Sequence, residues 1–216
     1  MKSCIDMLSR EAGWRLQSIL RPRRFFSTKQ LINLYKCQVL SYIEAGVPGY
    51  YHAASSIIYS LDRMQIRLLR ELAISETDAL HKFNLAPLNT RRNIAMLGLF
   101  NRIYLGSAPS QLIKLFPFQV NTSRRYFTRL DSRRHPFQFV EPRFYTDIYR
   151  RSLFGLTVIY NLLPRTVVNA ITISRFLQLL QKDVKTSALQ QLPNWKFLFS
   201  SEIRTCNTMR IFELLQ

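Results

Sequence analysis

The chain has 216 residues, of which 47% are hydrophobic and 20% charged, a balance that fits a folded protein with its own core and excludes a disordered tail. Lys and Arg number 31 against 13 Asp and Glu, and the resulting formal charge of +18 calls for an anionic partner. Nucleic acid comes first and an anionic membrane surface second, with a merely solvated basic surface as the plain alternative.

The opening MKSCIDMLSR carries Asp6 and no apolar run, so a secretory leader is not expected. Asp6 and Glu11 also speak against a mitochondrial presequence; nucleus or cytoplasm is the expected location, with the mitochondrion as the alternative. Apolar residues at 5, 8, 12, 16 and 19 predict a first amphipathic helix, which should stop near Arg21 because Pro22 pushes its predecessor out of the α region. Ser27 and Gln30 form a capping box for a second helix. Its packing side is read as Leu31, Leu34, Tyr35, Gln38 and Tyr42, its end as Gly46, followed by a turn at 47–49.

A third helix is drawn by Ile57, Ile58, Leu61, Met64, Leu68, Leu69 and Leu72, with Asp62, Arg63, Arg67 and Arg70 on other faces. A shorter one follows over 77–83. Ile94, Leu97, Phe100, Ile103 and Tyr104 mark another, closed by Gly106, and 109–116 is one more short helix. From Pro117 the composition changes. Arginines alternate with aromatics to about Arg151, prolines interrupt, and the segment reads as a long loop or short strands. The apolar run 153–163 predicts a buried helix ending at Pro164, too short to span a bilayer. Ser174 is taken to open a last helix carrying Phe176, Leu177, Leu180 and Val184. Six glycines in this length agree with a mainly α protein, divided at 1–116, 117–147 and 148–216.

Cys4, Cys37 and Cys206 have neither paired nor C-x2-C spacing, so buried thiols are expected and no metal. His52, His81 and His135 lie in separate segments, and no hydrolase, zincin or P-loop motif occurs. Tyr145-Thr146-Asp147-Ile148 resembles the Y-x-D-D box of polymerases, but Ile148 stands where a second carboxylate would hold the second metal ion. No catalytic residue and no cofactor is assigned to this chain by itself.

The basic residues are more informative. Arg21, Arg23 and Arg24 precede a helix N-terminus, where positive charge is disfavoured unless a phosphate is shared with the free N–H groups. Phe25 and Phe26 either stack on bases or staple the helix against Leu31, the plainer reading. Arg91 and Arg92 repeat the arrangement after Pro87-Leu88. Arg124, Arg125, Arg133 and Arg134 sit among aromatics, as in single-strand binders, with a solvated loop as the plain alternative.

The order L-R-x-R-R-F, L-Y-K-x-x-V-L and I-E-x-G (20–25, 34–40 and 43–46) resembles the region after the polymerase core in non-LTR, LINE-type retrotransposon reverse transcriptases. Three further blocks agree in order: L-D-R-M-Q with Arg67, A-P-L with Arg91-Arg92, and Arg150-Arg151-Ser152 leading to Y-N-L-L-P and S-R-F. Ala45 replaces a frequent Tyr, Gly49-Tyr50-Tyr51 replaces a usual Trp, and Tyr160 replaces the Trp of W-N. The resemblance implies a helical thumb-like bundle, an irregular basic segment and C-terminal helices that grip template–primer phosphates. Lys36, Arg63, Arg67, Arg150 and Arg151 join the candidate contacts. It further implies that the catalytic aspartates belong to an upstream polymerase core of the same element, a partner besides RNA, DNA or an RNA–DNA duplex. A stand-alone RNA-binding or scaffold protein, organellar or ribosome-associated, is the alternative.

Overall fold

Residues 2–118, 135, 137–140, 146–192 and 194–200 are described by a computed structural model, and they are mainly helical. Contacts divide the chain into two compact units, 1–92 and 93–216. The division falls inside one long helix, Leu88–Tyr104.

The first unit is built on α1 (Lys2–Leu20), whose Ile5, Leu8, Ala12, Leu16 and Ile19 are buried as their spacing demands. A 3-10 turn at Arg23–Phe25 follows Pro22. Helix α2 (Thr28–Tyr35) then begins with Ser27 as N-cap. The Gln30 N–H donates to Ser27 Oγ at 3.4 Å and the Ser27 N–H donates to Gln30 Oε1 at 2.8 Å, completing the capping box. The expected staple is not made by Phe25, which is 87% exposed while Leu31 is buried.

The same rod continues through a π turn, Lys36–Leu40, into α3 (Ser41–Ala45). This turn corrects the packing side read from the sequence. One extra residue per turn rotates the later positions, so Leu31, Ile32, Tyr35, Val39, Leu40 and Ile43 are buried while Gln38 is exposed. Tyr42 instead lies under the Arg15 guanidinium, 4.0 Å from ring centroid to Cζ. Residues 47–49 are not a plain turn but part of the short helix α4 (Val47–Tyr50). Cys4 and Cys37, expected to be buried thiols, are both exposed, and Cys206 lies outside the described residues.

Helix α5 (Ser55–Glu71) packs along α1 and buries Ile58, Leu61, Leu68 and Leu69. It also buries Gln65, whose Nε2 donates to the Ala86 carbonyl at 3.0 Å. Helix α6 (Glu76–Phe83) is capped by Ser75 and leaves through Asn84 in the left-handed region. Helix α7 (Leu88–Tyr104) carries the boundary between the units.

In the second unit Gly106, at φ +69°, ends α7, and the Ser107 N–H donates back to the Arg102 carbonyl at 2.9 Å. Helices α8 (Ser110–Leu115), α9 (Asp147–Arg151), α10 (Leu156–Asn161), α11 (Arg165–Val168) and α12 (Ile173–Leu189) follow. The run 153–163 is a 3-10 turn, Leu153–Gly155, leading into α10, rather than a single helix. The N-cap of α12 is Thr172, accepting from the Arg175 N–H, not Ser174.

The core of this unit is aromatic: Phe100 contacts Phe116 at 5.1 Å, Phe139 at 5.2 Å and Tyr160 at 5.5 Å between centroids. Phe118 and Phe139 form an isolated antiparallel bridge. Asn161 completes it, its Nδ2 donating to the Phe139 carbonyl and its Oδ1 accepting from the Phe139 N–H, both at 2.9 Å. Of the described residues in the basic segment, Phe139 and His135 are buried and Phe137 packs on Tyr104 at 4.6 Å, while Val140 is exposed.

Candidate nucleic-acid interface

Two helix faces turned away from the core of the first unit generate a basic cavity. On α1, Arg10, Gly13, Trp14 and Gln17 recur at three- and four-residue steps, opposite the buried stripe. On α5, Tyr59, Arg63, Ile66, Arg67 and Arg70 do the same. Because α1 and α5 lie side by side, the two stripes line one groove of about 560 Å³, with Met64 beside Gly13 on its floor.

The chemistry of that groove is one-sided. It has four arginines and no carboxylate among its lining residues. Arg10, Arg63 and Arg70 make no ion pair among the described residues. Arg67 donates to Gln17 Oε1 at 2.7 Å, a neutral partner that orients the guanidinium without cancelling its charge. Trp14 is 63% exposed and Tyr59 55% exposed, so two large π faces stand among these cations. Such a wall offers hydrogen-bond forks to phosphate oxygens and stacking surfaces to bases.

The other expected contacts have different surroundings. Arg21 and Arg24 are exposed, and Arg23 pairs with Glu71. Lys36 donates to the Phe83 carbonyl at the C-terminal end of α6, where the helix dipole favours a cation. Arg91 is paired with Glu44, and Arg92 is buried against Asp62. These two arginines hold the first unit together instead of facing solvent. Arg150 pairs with Asp147 at 2.5 Å, and Arg151 has its Nε buried without a hydrogen-bond partner among the described residues. Arg124, Arg125, Arg133 and Arg134, with Tyr145 of the Y-x-D-D-like box, lie outside the described residues. Among the described residues no cluster of His, Cys, Asp and Glu is arranged to hold a metal ion, and no helix is long and apolar enough to cross a membrane.

Of the expected contacts, then, Arg63 and Arg67 are brought together, and Arg10, Trp14, Tyr59 and Arg70 join them. Of these four, Arg70 stands on another face of the third helix by its spacing, while Arg10, Trp14 and Tyr59 lie off the apolar stripes that the spacing marks. The signal lay in the complementary stripes, 10-14-17 and 59-63-67-70. Comparison with protein-family models, with curated proteins and with solved structures finds no match for the chain.

Proposed function

We propose that this protein binds nucleic acid through the α1–α5 groove, gripping phosphates without reading sequence. The observation that carries this reading is the convergence of Arg10, Arg63 and Arg70, free of ion pairs among the described residues, with Arg67 in a groove lacking carboxylates. Phosphate contacts of this kind position a strand and carry no base information. The charge of +18 supplies the long-range attraction.

The four sequence blocks described above support a finer reading. In it the chain is the thumb and post-polymerase portion of a non-LTR reverse transcriptase, holding template–primer nucleic acid while catalysis belongs to an upstream core. An uninterrupted reading frame carrying a Y-x-D-D box immediately 5′ of the Met1 codon is the expected finding. Stop codons throughout that DNA, or primer extension by this chain alone with Mg2+, would count against it.

The binding reading is tested by fluorescence anisotropy of labelled RNA, DNA and RNA–DNA duplex between 50 and 200 mM salt. Affinity should fall linearly on a log–log plot, with a slope that drops by about 0.7–0.9 for each groove arginine changed to alanine. Binding that ignores salt, or its absence near 50–100 mM, rejects the reading.

A further inference from the structure

We infer that the α1–α5 groove takes an unpaired strand, with a base stacked on the exposed face of Trp14. This rests on the nucleic-acid reading above and narrows it from phosphates in general to single-stranded RNA or DNA.

Trp14 is the starting point. An indole usually buries its large apolar face, and the protein's other tryptophan, Trp195, does so at 8% exposure. Trp14 lies 63% open on the polar side of α1, with no aromatic neighbour in contact among the described residues. The groove places it beside Arg10, Arg63, Arg67 and Arg70 and across from Tyr59. A duplex keeps its bases stacked inside and presents only phosphates and base edges. It therefore offers these π faces nothing to cover. An unpaired strand presents a base face for each phosphate, and single-strand binders combine a cationic track with aromatic platforms for this reason.

Dimensions agree. Arg63, Arg67 and Arg70 span seven residues of α5, about 10 Å at 1.5 Å per residue. At about 3.4 Å per nucleotide of a stacked strand, that track follows roughly three phosphates. A volume of about 560 Å³ lies within the roughly 300–1,000 Å³ range of small-ligand pockets, the scale of a base or two rather than of a double helix.

The test compares a ten-nucleotide oligo-U or oligo-dT with an RNA–DNA duplex of equal length, at one fixed salt concentration. Tryptophan emission should be quenched by the single strand, and much less by the duplex. By anisotropy, Trp14→Leu should weaken single-strand binding about tenfold and duplex binding less than twofold, while Trp14→Phe keeps most of the affinity. Circular dichroism should show unchanged helix content, since Trp14 is not part of the core. Single-strand affinity untouched by Trp14→Leu, with binding still lost in Arg63→Ala/Arg70→Ala, overturns the strand inference alone. Failure of both nucleic acids to respond to the arginine pair, or equal competition by polyglutamate, overturns the underlying reading as well.

Discussion

Arg92 grips Asp62 through two hydrogen bonds, Nη1 to Oδ1 at 2.6 Å and Nη2 to Oδ2 at 3.0 Å, with the arginine side chain only 5% exposed. The fork ties the start of α7 to α5 from a buried position. Burial pushes the nearby Tyr50 hydroxyl up to about 12 despite the opposing pull of Arg92. Removing one partner of such a pair strands the other charge. Arg92→Leu should therefore cost about 3 kcal/mol in urea unfolding, and Arg92→Lys less, because the charge stays while the fork is lost.

The same geometry separates structural from ligand-facing arginines. Arg92→Lys should leave the salt slope of nucleic-acid binding unchanged, whereas Arg63→Ala should lower it by about 0.7–0.9. Parallel salt titrations of the two variants are the measurement. Equal slopes for both would place the phosphate contacts elsewhere on the protein.

Two glycines should respond in opposite ways to alanine. A Cβ at Gly155 would stand 1.8 Å from the Arg150 carbonyl oxygen, so the 3-10 turn closing against α9 admits no side chain. Gly155→Ala should lose about 3 kcal/mol or more. At Gly13 the nearest atom to a Cβ is Met64 Sδ at 4.0 Å, ordinary contact, and the position is helical. Gly13→Ala should gain about 0.5–1 kcal/mol from helix propensity alone. Thermal melts of both variants decide the matter.

Burial also pushes the Asp183 carboxyl up to about 6, with Lys182 pulling the other way. The folded state then holds this proton more tightly than the unfolded chain, whose aspartates titrate near about 3.9. Stability contributed by the protonated group is full below that value and is lost as pH rises through about 6. Asp183→Asn should remove this part of the pH dependence, making the variant more stable than the parent at pH 7 and no more so at pH 4. Urea midpoints at the two pH values give the comparison.

Legibility followed the strength of local rules. The buried stripe of α1, the Ser27–Gln30 capping box and the Gly106 exit were all readable, because each is decided by residues within a turn or two of one another. What could not be read depends on distant partners. Nothing near Arg92 announces Asp62, thirty positions away, and no periodicity marks Phe139 as the partner of Asn161. The groove was half legible. Arg63 and Arg67 stood out by charge, but their meeting with Trp14 needed the packing of α1 on α5. The packing side of the second helix was misread because a π turn obeys no fixed heptad or 3.6-residue count.

That π turn has a consequence for the length of the protein. The Ser41 N–H donates to the Lys36 carbonyl five positions back, one further than an α-helix allows. The rod thus carries a surplus residue between two inward-facing runs, Leu31 to Tyr35 and Val39 to Ile43. Deleting a single exposed position, Cys37 or Gln38, would let the backbone run through in plain α geometry and still deliver Ile43 to the interior. Length changes are ordinarily tolerated in loops. Here one is accommodated in the middle of a helix, at a place where shorter versions of the chain would keep the same core.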